Sequence, residues 1–280
     1  MRAKKIATRV AFHTFSILFG FVMIYPILWL VASSFKGPSE VFTNQLALIP
    51  KKWAFENYAI GMKGFGNIRF STFFLNSFYI VTLTTIGQVC SSALVAYGFA
   101  RIKFRFKKTL FACVIVTMML PMQILAIPQY TLFNALGWIN TYKPLILPAF
   151  FGHPFFIFLI YQFIQGIARD LDEAAYIDGC SKYTIFFRII VPLIVPAMVT
   201  SAIFAFYWKW DDFFGPLLYL QSVPKFPVSI ALKMFADPSA VSNYGAMYAM
   251  SVLSLVPVII LFFSFQKYLV EGISTTGMKN

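Results

Sequence analysis

The sequence predicts an all-α integral membrane protein, and its composition and the spacing of its charges are the observations that predict it. Of 280 residues, 59% are hydrophobic, 19% aromatic and only 12% charged. Six stretches of at least 20 residues contain no Lys, Arg, Asp or Glu. A helix needs about 20 residues to cross a hydrocarbon core about 30 Å thick. Residues 1–280 are therefore predicted to form a single transmembrane domain with six transmembrane helices, at approximately 12–32, 72–100, 109–133, 144–165, 192–220 and 244–268.

The charged residues predict how these helices are oriented. The net charge is +13, and the basic residues stand between the predicted spans instead of forming one face of a folded domain. With an even number of crossings both termini share one side, which also holds residues 101–108, 169–188, Lys267 and Lys279. That side is the more basic one, so the positive-inside rule predicts cytoplasmic N and C termini. Membrane topology thus explains the basic balance, and no nucleic-acid partner is expected.

A polar segment, residues 169–190, separates the fourth and fifth predicted spans. Asp170 or Asp172 can cap a short helix here, because a carboxylate accepts from the free N–H groups at the positive helix end. Gly179 can then adopt the positive φ of a sharp turn without a Cβ clash. A second, amphipathic stretch leads on to Pro192. The segment is predicted to form a helix-turn-helix on the cytoplasmic surface.

The short helix of this segment offers groups for contact with another protein. Ala174 and Ala175 are small enough to permit close approach. Tyr176 and Ile177 offer apolar contact, while Glu173 carries a charge that can pair with an arginine. These properties suit docking into a cleft on a cytoplasmic subunit. An amphipathic loop resting on lipid headgroups explains the same residues, and both interpretations stay open at this point.

Prolines interrupt the middle spans. Each one removes a backbone donor and bends its helix, which membrane proteins tolerate where neighbouring helices or water satisfy the freed carbonyls. They are Pro121, Pro128, Pro148, Pro154, Pro192 and Pro196. The bends permit rearrangement of the helices, but packing geometry alone accounts for them equally well.

Metal-binding and catalytic chemistry have little support in the sequence. The three cysteines, Cys90, Cys113 and Cys180, form no Cys-x-x-Cys pair, and no disulfide is expected. His13 and His153 stand alone, without a second ligand at helical spacing, so no metal site is expected. Since no Ser/His/Asp arrangement occurs at a plausible spacing, the sequence predicts neither catalytic residues nor an enzyme.

An aromatic and acidic patch lies in the fifth predicted span. Rings stack on sugar C–H faces, and carboxylates and hydroxyls bind sugar hydroxyls, so this patch is a candidate translocation-path surface. Its residues are Tyr207, Trp210, Asp211 and Asp212. An aromatic belt at the outer interface, with Lys209 paired to one of the acids, explains it equally simply. The connection that follows, residues 221–243 with Pro224, Pro227 and Pro238, is predicted to be external and to touch a binding protein.

Specific motifs resemble a known family. Glu173-Ala174-Ala175, Asp178-Gly179 and Pro192 are similar to the EAA motif of bacterial ABC importer permeases that work with an external solute-binding protein. Leu120-Pro121 and Trp210-Asp211-Asp212-Phe213 resemble the carbohydrate branch, the maltose-type inner-membrane permeases. Two positions depart from that branch, since Asp211 replaces a usual Asn and Cys180 a common Ala.

The resemblance implies a function that the residues alone do not. It implies a multi-pass permease subunit in the bacterial inner membrane that forms, with a second homologous permease, the path for a sugar, expected to be an oligosaccharide, delivered by the solute-binding protein. Residues 169–190 would be the coupling segment that docks on a dimer of ATP-binding subunits. The chain has no phosphate-binding Gly-rich loop, so ATP and Mg belong to that partner and no cofactor is expected here. The alternative is an ion-coupled secondary transporter in which Asp211 and Asp212 relay protons.

Overall fold

A computed structural model describes residues 2–235 and 243–277 of the chain. Helices make up most of this part, and no β-strand occurs within the described residues. Pro238 and Lys279, which entered the sequence predictions, lie outside the described residues. The all-α class predicted from composition is confirmed.

The helices differ widely in length. In chain order they are α1 (Arg2–Ser33), α2 (Glu40–Thr43), α3 (Glu56–Lys63), α4 (Phe70–Arg101), α5 (Lys107–Thr117), α6 (Met122–Ala135), α7 (Lys143–Ile146), α8 (Pro154–Gln165), α9 (Asp170–Ile177), α10 (Lys182–Ile185), α11 (Val191–Leu193), α12 (Val195–Trp210), α13 (Phe214–Tyr219), α14 (Val228–Met234) and α15 (Tyr244–Gly277). Short 3-10 turns occupy Leu147–Phe151 and Val223–Lys225, and a π-helical turn occupies Phe186–Ile190.

Four helical stretches are long and apolar enough to cross a membrane. They are Thr8–Ser33, Phe70–Arg101, Lys143–Gln165 and Tyr244–Tyr268. Two further pairs qualify only as bent units: Lys107–Thr117 with Met122–Ala135 at 102°, and Lys182–Leu193 with Val195–Trp210 at 75°. The described residues therefore contain four candidate spans, or up to six if each bent pair counts as one.

Prolines stand at the breaks. Pro121 immediately precedes α6 with an extended backbone, and Pro196 lies in the first turn of α12. Since proline supplies no N–H for the preceding turn, these positions favour a helix start after a bend. The fifth predicted span, 192–220, is divided twice. The first break lies between α11 and α12, and the second lies between Trp210, where α12 ends, and Phe214, where α13 begins.

One compact unit comprises Met1–Ser71 and Ala231–Val256. Its loop after α1 is organised by a buried lysine, Lys36, which is 1% exposed and donates to the carbonyls of Asn44 and Gln45 at 3.0 and 3.1 Å. Burial lowers the pKa of Lys36, and nearby Glu40 opposes that shift. Asn57 donates to the carbonyls of Ser34 and Lys36, both at 2.9 Å. These polar contacts hold the connection after α1 in place.

The other unit comprises Thr72–Ile230 and Pro257–Asn280. One apolar core in this unit joins the C-terminal half of α4 to α8 and to the segment from α9 to α12. A second core brings α4 together with α6, α7 and α13; its buried members are Ile80, Phe133, Leu145, Ile146, Tyr219 and Leu220. The first core underlies the polar segment that the sequence singles out.

Candidate functional site

The polar segment begins with helix α9, whose first turn holds Asp170, Asp172 and Glu173. The expectation that Asp170 or Asp172 caps this helix is wrong: Arg169 is the N-cap residue, and no described side chain makes a capping hydrogen bond there. Asp172 instead turns into the protein and pairs with Arg101 of α4. The carboxylates of this first turn still stabilise α9, because they lie near its positive end.

Gly179 ends α9 as the sequence predicts. Its φ is +80°, in the left-handed region where a Cβ is disfavoured. Its N–H donates to the carbonyl of Tyr176 at 3.0 Å, and that of Cys180 donates to Ala175 at 2.9 Å. These two bonds form a Schellman motif, which satisfies carbonyls at the helix end.

The next helix, α10, has a cap that the sequence reasoning missed. The Ser181 hydroxyl accepts from the N–H of Thr184 at 3.2 Å. A serine followed at the third position by a hydrogen-bonding residue is a known start signal for a helix, and it was present in the sequence. The segment thus forms a short helix, a tight turn and a second short helix.

The two alanines of the segment lie on different faces. Ala175 is 6% exposed and belongs to the core formed with α4 and α8, whereas Ala174 is exposed. A small-residue surface would therefore contain Ala174 alone. Other exposed residues surround it; these are Glu173, Tyr176, Ile177 and Asp178. Ile177 is 87% exposed, so its apolar side chain makes little contact with the other described residues.

An ion pair fastens α9 to the last turn of α4. Arg101 Nε lies 2.6 Å from Asp172 Oδ2, and the two side chains are only 7% and 12% exposed. Burial raises the pKa of the Asp172 carboxyl, and the adjacent Arg101 opposes that shift. A cavity of about 250 Å³ adjoins the pair, lined also by Tyr97, Lys103, Tyr176 and Lys182. No sequence signal linked Arg101 to this segment, because the two positions are far apart in the chain.

The aromatic and acidic patch is not one surface. Trp210 is 8% exposed and packs on the rings of Phe206 and Phe78, whereas Tyr207 is 50% exposed. Asp211 is exposed at the end of α12. Tyr207 and Asp211 are therefore exposed, whereas Trp210 is buried and Asp212 is partly buried.

Asp212 has a structural role that sequence reasoning partly anticipated. Its carboxylate pairs with Lys209 at 2.8 Å and accepts from the N–H of Gly215 at 2.9 Å. Both charged residues line a cavity of about 190 Å³. Polar side chains from α4, from α6 and from the residue before α8 also line it, including Gln88, Gln129 and His153. This polar cavity offers hydrogen-bonding groups inside a largely apolar helical protein.

The start of the predicted external connection is held in place. Asn140 Oδ1 accepts from the N–H groups of Gln221 and Ser222 at 3.2 and 3.1 Å. Lys225 Nζ donates to the carbonyl of Asn140 at 2.6 Å. Asn76 Nδ2 donates to the carbonyls at Pro224 and Phe226. Sequence reasoning did not single out Asn140, so its central position here was not predicted.

Comparison with solved structures identifies a fold that this chain shares. Its fold is similar to that of a chain in the crystal structure of a bacterial ABC transporter involved in the import of the acidic polysaccharide alginate. The TM-score is 0.82 at 22% sequence identity, covering 96% of this chain and 98% of the other. Residues 88–275 match the family model for the binding-protein-dependent transport system inner membrane component. The chain belongs to that family, and it is therefore a membrane transport component rather than an enzyme.

Curated relatives match over nearly the whole chain. It is 34% identical over 273 residues to the arabinooligosaccharides transport system permease protein AraQ of Bacillus subtilis, covering 97% of this chain and 96% of the relative. It is 30% identical over 264 residues to the diacetylchitobiose uptake system permease protein NgcG of Streptomyces coelicolor, covering 94% and 86%. The family resemblance inferred from the EAA motif is confirmed.

Proposed function

We propose that this chain is one permease subunit of an ATP-driven importer for an oligosaccharide that an external binding protein delivers. Membership in the binding-protein-dependent family supports transport, and the names of the relatives support a sugar substrate. A second, homologous permease would supply the other half of the path. A dimer of ATP-binding subunits would supply the energy and would hold ATP and Mg.

The observation that carries the proposal is the exposed surface of α9 and its turn. Four side chains of α9 are exposed, and the helix is closed at its end by Gly179; they are Glu173, Ala174, Tyr176 and Ile177. An apolar, partly charged patch of this kind suits a groove on a partner protein. This surface, together with Asp178 and with Pro192 in α11, is the proposed coupling site for the ATP-binding subunit.

The membrane arrangement belongs to the same proposal. If each bent pair counts as one crossing, six spans result and both termini lie on one side, together with residues 169–190. The bias of basic residues toward that side supports its being the cytoplasmic one. The connection that begins at Gln221, which hydrogen bonds with Asn140 and Asn76 hold in place, would then face the binding protein.

Asp212, with the polar cavity it lines, is proposed to belong to the sugar path together with exposed Tyr207 and Asp211. Hydrogen-bonding groups with nearby rings are the usual lining of a sugar site. Trp210 would contribute to this surface only by packing beneath it, because its ring is buried. A proton-relay transporter is disfavoured: Asp212 is already paired with Lys209, and the family works with binding proteins.

Reconstitution tests the proposal. The permease would be co-expressed with its neighbouring permease and ATP-binding subunit, placed in liposomes, and supplied with binding protein loaded with arabino-oligosaccharides. We expect ATP hydrolysis to rise with the loaded binding protein and uptake to persist when an ionophore collapses ion gradients. Uptake that stops when the ionophore is added and that does not depend on ATP would overturn the proposal in favour of an ion-coupled transporter.

A further inference from the structure

The last two turns of α4 contact the coupling segment at two points and the chain just before it at a third. Arg101 Nη2 donates to the carbonyl of Ile167, just before the segment, at 2.8 Å. Arg101 Nε pairs with Asp172 in α9 at 2.6 Å. The hydroxyl of Tyr97, one helical turn earlier, donates to the carbonyl of Lys182 in α10 at 3.1 Å. We call Tyr97, Arg101 and their three partners the α4 clamp.

The clamp restricts where α9 lies relative to α4. The planar guanidinium of Arg101 reaches two partners at once, so its fork restricts both the carbonyl before α9 and the carboxylate within α9. Its side chain is 7% exposed, and an ion pair in such a buried site interacts more strongly than it would in water. Moving α9 away from α4 would leave a buried charge without its partner, which is costly.

Apolar packing supports the clamp. Ala93, Ala96 and Ala100 line the same part of α4 and belong to one core with Ala175, Ile185 and Phe186. Small side chains let helices approach closely. The ring of Tyr97 lies 4.9 Å from that of Phe186, measured between centroids. Both short helices of the segment are therefore packed on α4 as well as bonded to it.

The covalent route out of the segment is bent. From α10 the chain passes through the π-helical turn Phe186–Ile190 and then a 75° break before α12. Bends of this kind can absorb a displacement of the segment. Helix α4, by contrast, is a continuous helix of 32 residues that ends at the clamp. A push on α9 or α10 reaches α4 without crossing a bend.

We propose that α4 is a second mechanical output of the coupling segment, to which Tyr97, Arg101 and Asp172 transmit the movement imposed by the ATP-binding subunit. This inference rests on the proposed function. Tyr97, Arg101 and Asp172 are positioning residues in it, since they act through the segment and do not touch nucleotide or sugar.

The test compares two clamp variants with matched controls in the reconstituted importer. Tyr97→Phe removes only the hydroxyl, and Asp172→Asn removes only a charge. Tyr161→Phe is the control for the first, because no hydrogen bond of its hydroxyl occurs within the described residues. Asp170→Asn is the control for the second: it removes a charge from the same turn of α9, and no ion pair involves Asp170 in the described part of the chain.

The readout is the number of arabino-oligosaccharide molecules imported per ATP hydrolysed, with hydrogen exchange of residues 170–185 as a second measurement. We expect each clamp variant to assemble and hydrolyse ATP but to lower the coupling ratio about threefold or more, a size typical of side chains in one interaction network. Exchange in residues 170–185 should rise. Each control should change the ratio by a clearly smaller factor.

Two results separate the possible failures. If the wild-type importer couples ATP to uptake and the clamp variants match their controls, the clamp inference is overturned while the proposed function stands. If both clamp variants fail to assemble, the double variant Arg101→Met with Asp172→Leu decides, since it removes both charges together. A double variant that assembles with a normal coupling ratio would overturn the inference, and one that assembles uncoupled would support it.

Discussion

At the scale of single residues, Gly179 and Ala175 show how the coupling segment is built. Gly179 takes a positive φ with nothing within 4 Å of the position where a Cβ would stand. Any penalty for a side chain there comes from the backbone itself, and contact with the rest of the chain adds nothing. Ala175 faces inward, so the exposed surface depends on Glu173, Ala174 and their neighbours.

Because the penalty at Gly179 comes from the backbone, substitutions at this position test the geometry of the turn. Gly179→Ala should reduce ATP-coupled uptake more than Gly179→Asn, because alanine pays about 1–2 kcal/mol in the left-handed region that asparagine tolerates better. The comparison uses uptake and ATP hydrolysis in proteoliposomes. Equal uptake in the two variants would mean that the turn geometry has no part in coupling.

The charge of Glu173 can be tested at the same surface. Glu173→Lys should leave the fold intact, because the side chain is exposed, while weakening association with the ATP-binding subunit. Loss of a charge pair at an interface rim mainly slows association and alters its salt dependence. Co-purification at low and high salt measures this, and unchanged association under both conditions would contradict the docking role.

Asn57 stabilises the loop after α1 in the unit formed by Met1–Ser71 and Ala231–Val256. Asn57→Ala removes two hydrogen bonds and leaves the carbonyls of Ser34 and Lys36 unsatisfied, at a cost of about 1–3 kcal/mol. The control is Asn67→Ala, at an exposed position. Thermal unfolding of the purified permease should show a lower midpoint for the first variant only.

At the scale of elements, glycines reveal which faces of α4 are closely packed. A Cβ on Gly87 would lie 2.8 Å from the ring of Phe150, whereas one on Gly98 would meet nothing within 4 Å. Gly87 therefore allows α4 to lie against the 3-10 turn Leu147–Phe151. Gly98 has no such role among the described residues.

The two positions form a matched pair for mutation. Gly98→Ala should raise stability slightly, by up to about 1 kcal/mol, because alanine is the better helix former. Gly87→Ala should lower it, since the Phe150 ring must move. Thermal unfolding of the purified permease distinguishes them, and a gain in stability from Gly87→Ala would show that the ring yields without cost.

At the scale of the whole molecule, the candidate spans differ in how much this chain covers them. Only 6% of the apolar window of Thr8–Ser33 is buried within the chain, against 39% for Phe70–Arg101. Residues exposed to lipid or to a second permease contribute little to the stability of the isolated chain. Phe15, which is 68% exposed, and Phe156, which is 0% exposed, represent the two situations.

Phe156→Ala should destabilise the purified chain by about 3–5 kcal/mol, the usual cost of emptying a core position. Phe15→Ala should change it by no more than about 0.5 kcal/mol. Thermal unfolding in one detergent measures both. A large loss for Phe15→Ala that appears only in the assembled importer would identify α1 as a contact with the partner permease.

The sequence by itself determined the helical membrane class, the position of the polar segment and the turn at Gly179. These follow from local rules: charge-free length decides a span, and a Cβ clash decides where glycine is needed. The family followed from the EAA motif, because its residues lie close together in one short stretch of the chain. Pro121 and Pro196 likewise lie where spans are interrupted, whereas Pro128 lies inside α6 without a break.

Only the tertiary structure decided that Asp172 pairs with Arg101 instead of capping α9, that Ala175 faces inward, and that Trp210 is buried apart from Asp211. It also made Asn140 the anchor of the connection after α13. Each of these facts depends on which distant segment lies opposite a side chain. The physical reason is that partners such as residues 101 and 172 are brought together by helix packing, and no local pattern of hydrophobicity or charge encodes that meeting.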